Sequence, residues 1–357
     1  MAESVVNIRW AYPTKRQAAY GTPNTPADID QSHPFLGADM GQHTPNMSDN
    51  AAHFGKGHEF ATRNEILSWD SLFSRQFHAT TKIVGWAMAF HTGSVSTSSL
   101  GGGNYEHAFE YQDPLGVGYY GSARQQPVFT VMEQVGSNLA RRWPSMALRA
   151  LELTGQRNDW VMLTTELQGS GMMTRIAPSD FAWPDPTDAA TGGEGVLLRN
   201  ASLLFEHGPS GALVDMSCDI RSFRFRSEFA YFDTDGYCPG SGYLVSGDPA
   251  SGQIRNKLEF ARRAVVLEFV ADLTTDNNPF TRLEGNVLMS ARITVVGSTS
   301  PHEFVIWVPQ IKLRAVPIGT DGDRITLSIS TVVQYDNTEA NPWTATVVNS
   351  TPSYLTT

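Results

Sequence analysis

Cysteine is nearly absent from this chain of 357 residues, in which Cys218 and Cys238 are the only two. Two cysteines cannot build a disulfide scaffold, so we predict two free thiols in a reducing cytosol. No apolar run is long enough to span a bilayer, and the first fifteen residues lack the apolar segment of a signal peptide. We therefore expect a protein that is made in the cytoplasm, has no membrane segment and stays soluble until it assembles.

Charge is also scarce: Asp, Glu, Lys and Arg make up 17% of the chain, and the net charge is −10. The 26 basic residues divide evenly between the two halves, so neither half forms a basic module. Proteins that grip nucleic acid need clustered Lys and Arg to displace the counterions of the phosphates. The sequence therefore predicts a surface that repels or releases nucleic acid.

Patterns for metal or phosphate binding are weak. His53 and His58 have no cysteine nearby, so solvated or interface histidines are the simpler interpretation. The segments 233–236 and 321–323 lack the spacing and the terminal Glu of a calcium loop, and Asp321-Gly322 favours a hairpin turn. The glycines at 101–103 precede a predicted strand and not a helix, which argues against a phosphate site. We expect no metal-binding and no cofactor-binding residue.

Catalytic patterns are equally weak, since the chain has no Gly-x-Ser-x-Gly motif and no evident Ser/His/Asp grouping. The acid pairs Glu106/Glu110 and Glu133/Glu152 have the composition of a glycosidase dyad. Strands whose Glu residues face water produce such pairs freely, however. We expect no catalytic residue, and we predict that the chain is not an enzyme.

The chain does contain long stretches in which apolar and polar residues alternate. In one stretch Ile325, Leu327, Ile329, Val333 and Tyr335 alternate with Arg324, Thr326, Ser328, Ser330 and Gln334. In another, Val287, Met289, Ala291, Ile293 and Val295 alternate with Ser290, Arg292 and Thr294. Period-2 patterns of this length predict antiparallel sheet with one buried face.

The two halves of the chain predict the same order of elements, which indicates a tandem duplication of a β unit. The order is strand, short helix, strand, strand and closing strand or hairpin: 67–77, 79–90, 104–112, 127–135 and 146–168, then 262–272, 276–283, 285–297, 302–316 and 323–336. Strands are also predicted at 198–206, 214–232 and 343–349. The first helix places Ile83, Trp86, Ala87 and Phe90 on one face.

Two segments, 214–232 and 144–152, have patterns that do not fit a single regular element. A change of phase within 214–232 predicts a β-bulge near Arg221-Ser222. Residues 144–152 have good helix propensity and a proline near the start, but a hairpin partner follows closely, so we predict a strand.

Composition divides the chain at a segment rich in Pro, Gly and Asp. The predicted parts are an extended N-terminal arm (1–62), a first β domain (63–185), a linker (186–195), a second β domain (196–350) and a C-terminal tail (351–357). The arm is loop-like, but its aromatic residues favour docking over disorder. A proline- and glycine-rich loop is predicted at 233–255.

Four segments of the first half resemble the tail tube (major tail) proteins of long, non-contractile-tailed bacteriophages. They begin at Tyr105-Glu-His-Ala-Phe-Glu, Gln126-Pro-Val-Phe-Thr-Val, Arg142-Trp-Pro-Ser-Met-Ala-Leu and Trp160-Val-Met-Leu-Thr-Thr-Glu-Leu, the last ending in Gly-Ser-Gly171. Ile306-Trp-Val-Pro-Gln-Ile-Lys-Leu and the strand from Ile325 to Tyr335 resemble late segments of the family. The resemblance covers about residues 65–350; the long arm, the loop 233–255 and Trp143 in place of a tyrosine depart from it.

The resemblance implies a mainly β chain of two tandem tail-tube-type β-sandwich or barrel units, each with a short α-helix. It implies that inner sheets close into a barrel across subunits, giving trimeric rings with pseudo-six-fold symmetry that stack into a tube. By the same resemblance, we expect double-stranded DNA and a tape-measure protein to occupy the lumen without specific DNA binding, and tail terminator and tail tip proteins to contact the ends. The expected location is the phage tail in the virion, assembled in the bacterial host cytoplasm.

Closure between subunits also makes physical sense, because an open sheet has edges whose N–H and C=O groups must be paired or covered. Two other functions stay open: another virion or secretion-tube structural protein, such as a tail terminator or a capsid decoration protein, and a β-sandwich carbohydrate-binding module.

Overall fold

The computed structural model describes residues 8–36, 40–47, 66–112, 118–121, 124–185, 196, 201–206, 213–231, 237–242, 253–255, 258–273, 279–297 and 300–357. These residues include two α-helices, α1 (Thr81–Thr92) and α2 (Phe280–Glu284), and 21 strands that pair into one network. The strands of the first half are β1 (Ile8–Tyr12), β2 (Gln31–Ser32), β3 (Gln42–Met47), β4 (Ile66–His78), β5 (Gly93–Gly101), β6 (Asn104–Tyr111), β7 (Phe129–Val135), β8 (Leu139–Gln156), β9 (Met162–Gly169) and β10 (Thr174–Ile176). Those of the second half are β11 (Ala201–Glu206), β12 (Leu213–Asp215), β13 (Ile220–Tyr231), β14 (Tyr237–Gly242), β15 (Gln253–Arg255), β16 (Phe260–Asp272), β17 (Met289–Val296), β18 (Glu303–Ala315), β19 (Ile318–Asp321), β20 (Arg324–Val333) and β21 (Thr344–Asn349).

Eight antiparallel strands form a long sheet in the order β3–β4–β9–β8–β13–β16–β20–β19. The two halves of the chain meet in its middle, where β8 pairs with β13 from Gln156↔Ser222 to Ala150↔Glu228. We call this joint the inner seam. Within the described part of the chain the long sheet does not close, and it has β3 at one end and β19 at the other.

A second sheet has the order β5–β6–β21–β18–β17–β11–β12. Strand β18 connects the two sheets, because its end pairs with β20 of the long sheet. The start of β8 leaves the long sheet and pairs with β7, which in turn pairs with β1. Helix α1 contacts β8 of the long sheet and β5, β6 and β21 of the second sheet. It therefore lies between the two layers.

Helix α1 is buried on all sides. Thr80 caps its start by accepting a hydrogen bond from the backbone N–H of Ile83, and Gly93 ends it in the left-handed conformation at φ 76°. Every residue of the helix except Lys82 is buried. Ile83, Trp86, Ala87 and Phe90, which were predicted to share one face, are all buried, and the rest of the helix is buried as well because a sheet covers it on each side.

Most of the predicted strands are confirmed within about two residues. Residues Met146 to Glu152 lie in strand β8, so tertiary pairing overrides their helix propensity. The predicted bulge is present, since the pairing of β13 with β16 shifts between Ile220 and Ser222. Asp321 pairs with Arg324 across a turn in which Gly322 has φ 59°, which confirms the hairpin.

Several strands were missed by the sequence analysis. Within the predicted arm, β1 pairs with β7, β2 with β1 and β3 with β4. The loop prediction for 233–255 was likewise incomplete, because β14 and β15 form there. The stretch 214–232 is two strands, β12 and β13, and not one. The predicted linker 186–195 lies outside the described residues.

One apolar core runs through both halves of the chain. At its centre His91 of α1 bonds the Ser227 hydroxyl of β13 at 2.7 Å, and the same hydroxyl contacts the Tyr111 hydroxyl of β6. Burial lowers the pKa of His91 to about 3. The histidine is therefore neutral at physiological pH, as a hydrogen-bonded group joining the halves requires.

Candidate functional site

The two faces of the long sheet differ in character. On β13, Phe223, Phe225 and Phe229 are buried, whereas the alternating Arg224 and Arg226 are partly exposed. Side chains on neighbouring strands that face each other across a pair share a face. The face that carries the two arginines, here called the open face, is therefore accessible to water in the single chain.

The two arginines of the open face are bound by four carboxylates from four neighbouring strands. Arg224 contacts Glu152 at 2.9 Å and Glu268 at 3.1 Å. Arg226 contacts Glu166 at 2.9 Å, Glu228 at 2.8 Å and Glu152 at 3.3 Å. This arginine–glutamate network spans the inner seam and carries two more negative than positive charges. Its members are Glu152 (β8), Glu166 (β9), Arg224, Arg226 and Glu228 (β13), and Glu268 (β16).

The contacts within the network raise the pKa of both arginines. Hydrogen bonding to Glu152 raises the pKa of Arg224. Burial lowers the pKa of Arg226, but hydrogen bonds to Glu228 and Glu166 outweigh that effect and raise it above the usual value. Partly exposed pairs of this kind contribute only about 0–1 kcal/mol each to stability. The main consequence is electrostatic: neither guanidinium is left free for a phosphate.

A second charged cluster lies beyond the end of the inner seam. Asp272 accepts bonds from Arg221 at 2.5 Å, Arg324 at 3.3 Å and Arg157 at 3.4 Å, and Arg221 also bonds Asp321. Burial raises the pKa of Asp272, but the Arg221 hydrogen bond and charge outweigh it, so the pKa is lowered. These contacts tie the β8–β9 turn to β13, β16, β19 and β20.

The open face is concave near the inner seam. A cavity of about 530 Å³ lies over five neighbouring strands, from Met162 through Thr154 and Arg224 to Ser330. Trp160 is one of the residues that line this cavity, and it is 38% exposed. The sheet therefore curves around its polar face.

Both free edges of the long sheet expose apolar side chains. Beside the β19 edge, Ile318 is 63% exposed and Ile325 is 48% exposed. At the β3 edge and its continuation, Leu36, Met40 and Leu72 are 40%, 45% and 41% exposed. Edges with unpaired backbone groups and apolar side chains are templates for pairing with another chain.

The β3 edge is anchored to the core by a buried ion cluster. Glu133 of β7 is fully buried and contacts Arg75 at 2.7 Å and Arg141 at 2.5 Å. The same carboxylate accepts the backbone N–H of Gly41, one residue before β3, at 2.9 Å. An internal carboxylate thus holds the segment that begins the end strand.

The residues considered for chemistry are scattered. Glu133 is buried in the core and Glu152 lies on the open face, so the structure does not bring this pair together. His53, His58 and segment 233–236 lie outside the described residues. Among the residues that the structure describes, no group of three or more His, Cys, Asp or Glu could hold a metal ion.

The arginine–glutamate network was not predicted from the sequence. Its signal was the alternation Phe223-Arg-Phe-Arg226, from which only the phenylalanine phase was used. The carboxylate partners could not be found in this way, because Glu152 and Glu166 belong to the other half of the chain and depend on the inner seam.

No protein-family model matches the chain, and no curated protein matches it. In the described part of the chain, neither helix has the length and apolar character needed to cross a membrane.

Proposed function

We propose that the chain is the tail tube subunit of a long, non-contractile-tailed bacteriophage. Copies join through the free edges of the long sheet, and the open faces line a hollow tube in the virion. The observation that carries the proposal is an eight-stranded sheet with one accessible polar face and apolar residues at both free edges. The sequence resemblance described above supports the same function.

The proposed ring contains three copies, each contributing two tandem β units, which gives pseudo-six-fold symmetry. Three long sheets make a barrel of 24 strands, and strands about 4.8 Å apart with a tilt near 40° give a barrel about 50 Å across. Barrels of roughly 16–18 strands already leave an aqueous channel. The lumen therefore has room for double-stranded DNA and for a tape-measure protein.

The charge pattern of the open face suits passage of DNA. A lumen that binds phosphate would hold DNA through the release of counterions. Here the arginines of the network are paired and carboxylates are in excess. DNA is therefore neither bound specifically nor retained. In this proposal the tube contacts tail terminator and tail tip proteins only at its ends.

Electron microscopy of the purified protein in negative stain tests the proposal. We expect rings or hollow filaments, and a mass in solution that rises with protein concentration. Another virion or secretion structural protein would form a different assembly, such as a single capping ring or a capsid-bound particle. A chain that remains one globule at every concentration would contradict the proposal.

A β-sandwich carbohydrate-binding module is the second candidate, favoured by the cavity of about 530 Å³ with Trp160 in its lining. Ligand pockets typically have about 300–1,000 Å³ and an aromatic surface. Such a module would stay a small discrete species and would show saturable binding to an oligosaccharide array. Loss of that binding in Trp160→Ala would then favour this function over a tube.

A further inference from the structure

We propose that the seam between copies repeats the inner seam residue for residue, with Ala315 opposite Thr44 of the neighbouring copy. The inference rests on the proposed function and specifies its interface. In this outer seam Pro317 lies opposite Gln42 and Gly319 opposite Met40 of the neighbouring copy. The strands of the two halves correspond one to one, as the pairings of the long sheet show.

The antiparallel strand pair β3–β4 matches the strand pair β13–β16 at an irregular position. In each pair one strand advances by a single residue while the other advances by two, so the same bulge occurs near the same end. The pairs on either side of the bulge are Asn46↔Ser68 and Met47↔Ile66 in the first half, and Ala230↔Arg262 and Tyr231↔Phe260 in the second. Counting back from the bulge, Thr44 corresponds to Glu228.

The strands β8 and β18 also share a bulge, on the same tripeptide. Leu-Arg-Ala occurs at 148–150 and again at 313–315, and in both cases the arginine is the unpaired residue. The flanking pairs are Leu148↔Leu167 and Ala150↔Glu166 in the first half, and Leu313↔Thr331 and Ala315↔Ser330 in the second. Ala150 therefore corresponds to Ala315, and Glu166 corresponds to Ser330.

A further strand pairing shows that the two matches follow a single residue-by-residue correspondence between the halves, here called the frame. Counting along β4 and β16 from the first bulge, Ser74 corresponds to Glu268. Since Glu166 corresponds to Ser330, the frame requires Ser74 to pair with Glu166 and Glu268 to pair with Ser330. Both pairs are present.

The frame leaves one strand position to be assigned. At the inner seam β13 lies beside β8, and Ala150 pairs with Glu228. Among the described residues no strand pairs at the corresponding position beside Ala315, and the strand that corresponds to β13 is β3. Because β3 lies at the far end of the same sheet, only the β3 of another copy completes the pattern without breaking a pairing.

The chemistry of the β19 edge fits this pairing. The carbonyl of Pro317 accepts a hydrogen bond from the N–H of Ser328. The proline nitrogen, which carries no hydrogen, therefore also faces β20, where its lack of a donor does not affect the outer edge. The backbone groups of Val316 and Ile318 then point outward and are available to a new strand. Ile318 is 63% exposed, whereas Leu153, its counterpart in the inner seam, is fully buried.

Cysteine cross-linking tests the register. In a background with Cys218→Ser and Cys238→Ser, we combine Ala315→Cys with Thr44→Cys, and in a second variant Pro317→Cys with Gln42→Cys. Both pairs lie at non-hydrogen-bonded positions, where Cα atoms are about 4.5 Å apart, within disulfide range. Mild oxidation of assembled rings should shift the denatured chain to dimers and trimers in both variants.

A matched control uses cysteines from the same set, Ala315→Cys with Gln42→Cys. These positions are offset by two residues, a separation of about 7–8 Å that a disulfide does not bridge. An intrachain control, Ala150→Cys with Glu228→Cys, should form a link that leaves the chain monomeric on the denaturing gel. It verifies that oxidation links opposed residues at the inner seam.

The outcomes separate the register from the function. Cross-linked dimers and trimers in the two matched variants, and not in the offset control, support the register. If rings form but disulfide-linked dimers and trimers appear only in the offset control, or in none of the variants, the register is wrong and the proposed tube function is unaffected. Failure of the unmodified chain to form rings overturns the proposed function, and the register with it.

Discussion

Replacing Glu133 by alanine should destabilise the protein more than any comparable change on the open face. The side chains of Glu133 and Arg75 are fully buried, and their nearest atoms lie 2.7 Å apart. Removing the carboxylate takes away the buried negative charge that contacts the guanidinium of Arg75. It also removes the acceptor for the N–H of Gly41 and a partner of Arg141.

The magnitude follows from burial. Breaking a buried ion pair by removing one partner costs about 3–5 kcal/mol, a large part of a typical stability of about 5–15 kcal/mol. Glu166→Ala is the matched control, because its carboxylate also contacts an arginine, at 2.9 Å, but is 32% exposed. That change should cost about 0.2–1 kcal/mol.

Urea unfolding followed by circular dichroism measures both changes on the same scale. Hydrogen exchange adds a local test: backbone amides of β3 should lose protection in Glu133→Ala and keep it in Glu166→Ala, because the Glu133 carboxylate holds Gly41. Equal destabilisation by the two substitutions would refute the argument from burial. Unchanged protection of β3 would refute the anchoring of the end strand.

Three further outcomes follow from the structure. Ser328→Pro removes the N–H that bonds the Pro317 carbonyl, so ring formation should be abolished in micrographs; normal tubes would contradict the assignment of β19 to the edge. Glu152→Lys places a cation beside Arg224 and Arg226, and tubes of this variant should retain DNA in low-salt gel shifts, unlike Glu303→Lys on the second sheet. The pKa of His91 is 6.5 in the unfolded chain and about 3 in the folded chain. The part of the unfolding free energy that depends on a neutral His91 is therefore complete above pH 6.5 and is lost as pH falls toward 3; at pH 5 the loss is about 2 kcal/mol. His91→Gln should reduce the difference in unfolding free energy between pH 7 and pH 5 by that amount, and an unchanged difference would show that the histidine is not the acid-sensitive group.

The strands that could be predicted from sequence are those with one buried and one wet face. Met289, Ala291, Ile293 and Val295 are all buried, as their alternation requires. Ile325 belongs to an equally clear pattern but is 48% exposed, because it lies beside an edge that the single chain leaves unpaired. A periodic pattern identifies a face; it does not tell which chain covers it.

The elements that could not be predicted depend on distant partners. Strand β1 is five residues long and is held by β7, more than a hundred residues later, so no local pattern marks it. Its Trp10 and Tyr12 are buried beside Trp86 of α1. The aromatic content of this segment did indicate docking, but the strand itself comes from pairing with β7.

The two seams of the proposed tube would have different chemistry. The inner seam forms once, within the chain, and is crossed by Arg224 and Arg226 with Glu152. The corresponding positions of the outer seam hold Pro317 and, from the neighbouring copy, Met40 and Gln42, none of them charged. Backbone pairing and apolar burial would therefore stabilise the outer seam, and both depend little on screening by salt. In the proposed tube the arginine–glutamate network lies within each subunit. Its carboxylates therefore pair with the arginines and make no contribution to the contact between copies.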